Sequence, residues 1–235
     1  MAHGLGTDEL LKRLEEATTK LDVSGLFITS LPYLPDTLKK LDCSDTQVTS
    51  LPPLPSGLQQ LNCWNTPLVS LPTLPAALRV LDCWNTPLVS LPELPAKLHT
   101  LYCYETQLTT LPTLPRTLKR LLCMDTPLTS LPDLPPRLEE LDCTGTDLTS
   151  LPVLPPKLTK LECESTHITS LPELPAGLKT FCCSNTPLTI LPNLPSELQE
   201  LQCWYTPLLI QRNDNESIAD YNLRWRAWRE EQASF

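Results

Sequence analysis

A motif of 20 residues repeats along most of the chain without insertion or deletion. Its most visible part, the Leu-Pro-x-Leu-Pro sequence of residues 31–35, has nine copies, and the last copy begins at Leu191. Each copy is followed by the pattern Leu-x-x-Leu-x-Cys-x-x-Thr-x-Leu, in which Val, Ile or Phe sometimes replaces Leu. A period that stays constant over this length indicates equal structural units stacked in a row.

One unit combines a short strand with an extended return segment. Around Leu61 the apolar and polar side chains alternate, which is the pattern of a strand with one buried face. The prolines of the Leu-Pro-x-Leu-Pro segment lack N–H groups and keep the preceding leucines extended, so this segment is predicted to be polyproline II. One such coil cannot bury its own leucines. The coils must therefore stack, with about ten strands, near residue 21 and every 20 residues up to 201, in one parallel sheet.

These residues resemble the leucine-rich repeat family over about residues 21–210. The 20-residue form looks most like repeats of secreted bacterial effectors, some of which carry ubiquitin-ligase domains, and like leucine-rich repeat proteins of large DNA viruses. The resemblance implies a leucine-rich repeat solenoid, a β/polyproline-II horseshoe with a parallel concave sheet, an extended convex side and helical caps at both ends. It says little about function, because such folds serve many partners.

Nine cysteines occupy the same inward position of the repeat, where relatives usually have Val, Ile or Leu. They are Cys43, Cys63, Cys83, Cys103, Cys123, Cys143, Cys163, Cys183 and Cys203. Free cysteine packs as a small apolar side chain, and thiols in a line do not surround one point as zinc ligands do. We therefore expect a ladder of reduced core thiols without disulfides or metal. Cys182 has an outward strand position, which favours exposure.

Nine threonines form a second ladder, at the position where the family normally has a buried Asn. They are Thr46, Thr66, Thr86, Thr106, Thr126, Thr146, Thr166, Thr186 and Thr206. A Thr hydroxyl inside the turn can donate and accept a hydrogen bond, so we expect a structural role for this ladder. In the first coil Leu26 replaces Thr, which we attribute to the lack of an earlier coil that could offer a partner.

The segment before the repeats is predicted to form a helix that covers the open end of the first coil. This N-terminal cap is assigned to residues 1–20, with Thr7 as the expected N-cap. Its apolar side is expected to contain Leu10, Leu11, Leu14, Ala17 and Leu21. Such caps are required because an open coil end would expose core leucines.

The segment after the repeats is predicted to form a second cap, assigned to residues 211–235. Ser217 begins a helix with one apolar stripe, made of Ile218, Tyr221, Trp225 and Trp228. We expect this stripe to pack on the last coil near Trp204 and Leu208, and the alternative is a helix that binds a partner.

The chain is acidic, with a formal net charge of −9. Phosphate groups would repel such a chain, so we expect no binding to nucleic acid or anionic membranes, and a basic protein is a compatible partner. No stretch approaches the ~18 apolar residues of a membrane span, and no basic segment followed by an apolar run marks a secretory signal. These features favour a cytoplasmic location, in a host cell if the protein is viral or secreted. Nothing indicates a cofactor.

The ligase effectors use a Cys-x-Asp motif in a separate helical domain, and residues 43–45 and 123–125 match its letters. Both cysteines are predicted to face the core, where burial disfavours the thiolate. The 25 residues after the last coil are too few for the ligase domain. We therefore assign no catalytic residue and expect no enzymatic activity.

The outward strand positions are the part of the repeat that varies in chemistry. The residues predicted to bind a partner are Trp64, Trp84, Tyr104 and Met124 in one column, Asp42, Asp82 and Tyr102 in the next column, and Glu105 beside Tyr104. A contiguous aromatic stripe on an open face is typical of an interaction site, and the carboxylates would select a basic partner. The alternative is that the tryptophans stack on each other and on Pro67 and Pro87 and only make the sheet rigid.

The sequence thus favours a non-catalytic scaffold that binds a partner protein through the concave face. A flat open sheet has no pocket that excludes water, which argues against acid or base chemistry by these carboxylates. One alternative is the substrate-recruiting arm of a ubiquitin-ligase-type effector that lacks its catalytic domain. Another is a structural protein that self-associates through the aromatic stripe. The partner and the oligomeric state stay open.

Overall fold

The computed structural model describes residues 2–213 and 215–232 and shows a solenoid of ten coils with a helix at each end. The elements are α1 (Ala2–Glu16), β1 (Lys20–Asp22), β2 (Lys40–Asp42), β3 (Gln60–Asn62), β4 (Val80–Asp82), β5 (Thr100–Tyr102), β6 (Arg120–Leu122), β7 (Glu140–Asp142), β8 (Lys160–Glu162), β9 (Thr180–Cys182), β10 (Glu200–Gln202) and α2 (Ile218–Gln232). The predicted solenoid with a helix at each end is confirmed. Residues 1, 214 and 233–235 of the predicted caps lie outside the described residues.

The ten strands form one parallel sheet in which spatial order equals chain order. Equivalent residues of the repeat lie opposite each other, for example Leu61 opposite Leu81. Further backbone hydrogen bonds extend the pairing past each strand, because the N–H of Cys63 donates to the Asp82 carbonyl at 2.8 Å. Each return segment ends in a turn, in which the N–H of Leu58 donates to the Pro55 carbonyl at 3.0 Å. The same bonds recur from coil to coil, so the register is uniform.

The core is a set of columns, each filled by one position of the repeat. The inward leucines of the strands and the nine ladder cysteines are buried, and all ten cysteines are free. Several thiols also donate a weak hydrogen bond to the next coil, as Cys83 Sγ does to the Tyr102 carbonyl at 3.4 Å. Burial raises the pKa of Cys43 and of Cys103 to about 12. The thiols therefore belong to the core, as predicted.

Cys182 departs from the prediction that its outward position favours exposure. It is only 4% exposed. Its Sγ lies 3.3 Å from Glu164 Oε2, 3.7 Å from Ser184 Oγ and 3.8 Å from Gln202 Oε1. Polar side chains of the same coil and of the two neighbouring coils therefore cover the thiol, although it points away from the core.

At eight of its nine positions the threonine ladder closes a turn inside its own coil, whereas Thr206 donates to the Cys183 carbonyl of the preceding coil at 3.0 Å. The Thr66 hydroxyl donates to the Cys63 carbonyl at 2.7 Å, and the same bond recurs in every coil from Thr46 to Thr186. Because the acceptor at these positions lies three residues back in the same coil, the hydroxyl does not require an earlier coil to provide its hydrogen-bond partner. The expected reason for Leu26 in the first coil is therefore wrong.

The N-terminal helix differs from the prediction at both ends. The helix α1 begins at Ala2, so Thr7 lies inside the helix and is not its N-cap. It ends at Glu16, so Ala17 follows the helix and Leu21 belongs to β1. A Cβ atom at Gly6 would lie 2.6 Å from the Phe27 carbonyl oxygen, which shows how closely the helix backbone approaches the first coil. The close approach of Gly6 to Phe27 thus occurs in the part of the helix that lies before the predicted start. Leu10 is buried, whereas Leu11 is largely exposed and does not share the packed side.

The C-terminal cap follows the predicted stripe. The Ser217 hydroxyl accepts a hydrogen bond from the Asp220 N–H at 3.0 Å, which is an N-cap. Tyr221 and Trp225 are fully buried, and the Tyr221 hydroxyl donates to the Ile210 carbonyl at 2.9 Å. Trp204 was expected beside this cap, but it stays 57% exposed. The cap therefore closes the core and leaves the outward aromatic residue of the last coil open.

We predict that Thr106→Val destabilises the protein by about 1–3 kcal/mol. The substitution keeps the shape of the side chain but leaves the Cys103 carbonyl buried without its donor. Urea unfolding measures the effect. The control is Thr109→Val, because position 109 is exposed and coils 3 and 4 have Val69 and Val89 there. Equal stability of both variants would contradict a structural role for the ladder.

We also predict that the native protein reacts slowly with a thiol reagent such as DTNB. Every thiol is at most 8% exposed, and burial raises the pKa of the ladder thiols. All ten should react within the mixing time in concentrated guanidinium chloride. Fast reaction of several thiols in native buffer would show that the core columns are open.

Candidate functional site

Three aromatic rings on the concave face form one continuous stack. The ring centroids of Trp64 and Trp84 are 4.9 Å apart with an interplanar angle of 8°, and those of Trp84 and Tyr104 are 5.0 Å apart at 10°. These distances match the ~4.8 Å spacing of strands, so the sheet places the rings in contact. We call Trp64, Trp84 and Tyr104 the aromatic stack. The expected contiguity and the expected mutual stacking are both present.

Stacking fixes the rings without removing them from the surface. All three side chains are half-buried, and Met124 continues the same column with a half-buried side chain. Each aromatic pair contributes about 0.5–1.5 kcal/mol beyond its buried area. The inner ring faces are therefore used within the protein, while ring edges stay available at a fixed position. A surface of this kind loses little side-chain entropy on binding.

Asp42 and Asp82 occupy the neighbouring column in different environments. Asp42 accepts hydrogen bonds from the Ser44 N–H at 3.2 Å, from the Ser44 hydroxyl at 2.5 Å and from Asn62 Nδ2 at 3.1 Å. Asp82 Oδ1 is buried and has no hydrogen-bond partner among the described residues. Burial raises the pKa of Asp82 to about 6, and the charge of Asp42 adds to this effect. Asp82 is therefore the carboxylate with unused acceptor capacity.

Tyr102 follows Asp82 in this column but does not join the aromatic stack. Hydrogen bonding with Tyr102 is the main cause that raises the pKa of Arg120. Arg120 also forms an ion pair with Glu140 at 3.4 Å. Of the residues predicted to bind together, the structure thus brings Trp64, Trp84 and Tyr104 into contact and connects Tyr102 to a separate polar network.

The position after the stack column has a left-handed backbone in every coil. Its φ is 55° at Asp45, 50° at Asn65 and 52° at Glu105. Asn65 Nδ2 donates to Asp45 Oδ1 at 2.6 Å, and Asn85 Nδ2 donates to Asn65 Oδ1 at 2.8 Å, so an amide row borders the stack. Glu105 continues this border as an exposed side chain. It is a disfavoured residue type for this backbone region, where Gly, Asn and Asp are usual.

Charge is separated across the width of the sheet, a feature that the sequence analysis missed. The residues that follow the second residue of each strand (22–30, 42–50 and so on to 202–210) contain ten carboxylates and neither Lys nor Arg. All twelve Lys and Arg residues between positions 20 and 201 lie on the other side of each strand or at its start. The separation is visible when equivalent positions of the repeats are compared, but the net charge of the chain does not show it. The aromatic stack lies on the acidic side.

Comparison with solved structures gives the family. The leucine-rich repeat domain of a Shigella effector is 34% identical, with a TM-score of 0.58, and the match covers 70% of this chain and 76% of that chain. The chain belongs to the leucine-rich repeat family. YopM from Yersinia enterocolitica WA-314 is 29% identical with a TM-score of 0.61 over 82% of this leucine-rich repeat chain, which spans 52% of the YopM chain.

A third structure shares the fold at lower identity. The functional domain of InlJ from Listeria monocytogenes, which includes a cysteine ladder, is 22% identical with a TM-score of 0.64. The match covers 87% of this leucine-rich repeat protein and 56% of the InlJ chain. A scan of family profiles gives no match, and a search of curated proteins gives none either.

The two Cys-x-Asp sequences lie within the repeats and have buried thiols. Cys43 and Cys123 are fully buried, and burial raises the pKa of both thiols. A nucleophilic cysteine needs an accessible thiolate, which neither position supports. Within the described residues, no group of three or more His, Cys, Asp or Glu side chains is arranged to hold a metal ion. Neither of the two described helices has the length and apolar character for crossing a membrane.

We predict that Asp82→Asn stabilises the protein at pH 8 by about 1–3 kcal/mol. The pKa of Asp82 in the fold is about 6, above an unfolded value near ~3.9, so the charged form is disfavoured in the folded state. This cost to the free energy of folding is fully present above about pH 6 and disappears as the pH falls towards 4. Urea unfolding at pH 4, 6 and 8 measures it. Glu93→Gln, which neutralises an exposed carboxylate on the convex side, is the control, and the same gain at every pH would contradict the prediction.

Proposed function

We propose that this leucine-rich repeat protein is a non-catalytic scaffold that binds a partner protein through the concave face of its sheet. The aromatic stack is the centre of the contact surface. Asp82 and Glu105 beside it select a partner with basic side chains. The single observation that carries this proposal is the fixed, half-buried aromatic stack on an open face, with the carboxylates of Asp82 and Glu105 beside it.

The shape of the surface favours a protein over a small molecule. Small-molecule sites enclose most of their ligand, whereas the concave sheet is open along its length. Aromatic residues that are fixed before binding are frequent hot spots of protein interfaces. The Shigella relative is named as an effector domain, which supports a role in capturing another protein. A substrate-recruiting arm would use the same surface.

The two carboxylates contribute in different ways. Glu105 is exposed and attracts cations at long range, with an effect that salt reduces. Asp82 has an acceptor atom without a partner, and a cation placed beside it would favour its charged form. Binding of a basic side chain here therefore lowers the pKa of Asp82 and strengthens as pH rises through about 6.

We predict that the double variant Trp64→Ala/Trp84→Ala loses capture of the partner in a pull-down from the native cell. Removal of both rings deletes the centre of the contact surface, where substitutions each cost about 2 kcal/mol or more. The matched control is Val69→Ala/Val89→Ala, which shortens two exposed side chains in the same two coils on another side. Circular dichroism melts of both variants establish that they fold. Equal capture by both variants would remove the aromatic stack from the proposed function.

A further inference from the structure

The last coil carries a second exposed aromatic surface. Trp204 is 57% exposed and Tyr205 is 92% exposed. The C-terminal helix leaves this surface open, because its own large residues Tyr221 and Trp225 are buried elsewhere. We call Trp204 and Tyr205 the distal pair. Exposed Trp and Tyr side chains at neighbouring positions are typical of an interaction site.

The backbone conformation of Tyr205 indicates that this side chain does not contribute to the stability of the fold. Its φ is 56°, in the left-handed region, and seven of the ten coils have Gly, Asp or Asn at this position. A large aromatic residue is disfavoured in that conformation and here contributes almost no buried surface. Residues held in unfavourable conformations without a packing benefit are concentrated at functional sites.

The distal pair is aligned with the aromatic stack. Trp204 and Tyr104 occupy the same position of the repeat, five coils apart. At a strand spacing of about 4.8 Å, the two surfaces are separated by about 24 Å along the solenoid. A single segment of a partner can therefore contact both.

Between these two surfaces lie carboxylates that no cation of the protein neutralises directly. Asp125, Asp142 and Glu164 occupy three successive coils and belong to none of the ion pairs formed by the described residues. We call them the acidic strip. The nearby cations are engaged by other carboxylates, since Arg120 pairs with Glu140, and Lys160 pairs with Glu162 at 2.7 Å. Asp125 is exposed and Glu164 is half-buried, so these two carboxylates present negative charge to whatever connects the two aromatic surfaces, while the buried Asp142 adds to the negative potential between them.

We propose that the distal pair is a second contact site for the same partner protein, and that the partner crosses the acidic strip with a basic segment. The occupant is thus a polypeptide segment with apolar residues at both ends and Arg or Lys between them. Charge complementarity selects this chemistry, and the 24 Å separation, which is about five strand spacings, sets the length. This inference rests on the proposed function, because the aromatic stack is one of its two contacts.

Two synthetic peptides test the spacing. Both carry an N-terminal fluorescein, Leu-Leu at each end and three arginines in between. The long spacer is Arg-Ser-Ser-Arg-Ser-Ser-Arg-Ser, which spans about 26 Å when extended, and the short spacer is Arg-Arg-Arg, which spans about 10 Å. Fluorescence anisotropy with the full chain should show about tenfold tighter binding of the long-spacer peptide, because only this peptide reaches both surfaces. Equal affinity of the two peptides would overturn the proposal.

Variants of the protein then locate each contact. Trp204→Ala/Tyr205→Asn should abolish the advantage of the long spacer and leave binding of the short-spacer peptide unchanged. Because Asn is favoured in the left-handed region, this variant should be at least as stable as the parent protein. A retained advantage would show that the distal pair is not the second contact.

The acidic strip has a matched control on the convex side. Asp125→Asn/Asp142→Asn/Glu164→Gln should weaken the long-spacer peptide about tenfold at low salt. Glu93→Gln/Asp133→Asn/Glu173→Gln removes the same charge from three exposed convex residues and should change the affinity less than twofold. Equal weakening by both triple variants would show that only net charge matters and would overturn the proposal.

The outcomes separate this inference from the proposed function. If Trp64→Ala/Trp84→Ala abolishes partner capture, while the distal variant and the acidic-strip variant capture the partner normally, the proposed function stands and the second contact is wrong. If the distal and acidic-strip variants also lose capture, both are supported. If none of the variants affects capture, the concave face is not the binding surface.

Discussion

Each coil of this protein depends on the adjacent coil for its hydrogen bonds and for its buried surface. The N–H groups that follow each strand donate to carbonyls of the next coil, and the leucines of one coil cover those of the next. Neither requirement can be met by one coil alone, so stability comes from the interfaces between coils. Uniform register follows, because a shift of one coil would break every bond on both of its sides. The caps complete this arrangement where no further coil exists.

The 20-residue period made most of the fold predictable from the sequence. Because each repeat position has one environment, a single prediction about Cys63 or Thr66 holds for the whole ladder. The errors occurred where residues outside the periodic pattern decide the result. Cys182 points outward but is covered by the side chains of coils 8 and 10, and the unpredicted first residues of α1 include Gly6, which packs closely against Phe27. Such contacts between distant residues leave no periodic signal.

The candidate site shows the same division. The column of Trp64, Trp84 and Tyr104 could be read from the sequence because strand spacing brings equivalent positions into contact. The state of Asp82 could not, since it depends on Asn62, whose amide donates to Asp42 and not to Asp82 Oδ1, which has no hydrogen-bond partner among the described residues. The exposure of Trp204 likewise depends on where the C-terminal helix packs. The residue types identified the candidate binding residues. The directions and contacts of their side chains, which the sequence does not give, determined their hydrogen bonding and exposure.

The separation of charge across the sheet gives the solenoid an electric dipole perpendicular to its long axis. Ten carboxylates and neither Lys nor Arg lie along one long border of the strands, while the other side holds twelve Lys and Arg residues and eight carboxylates. A rod with such a dipole rotates in the field of a cationic body until the acidic border leads. The first encounter then occurs along the side that carries the aromatic residues, at any point of its length. Orientation before contact would thus raise the association rate without adding a single contact to the bound state.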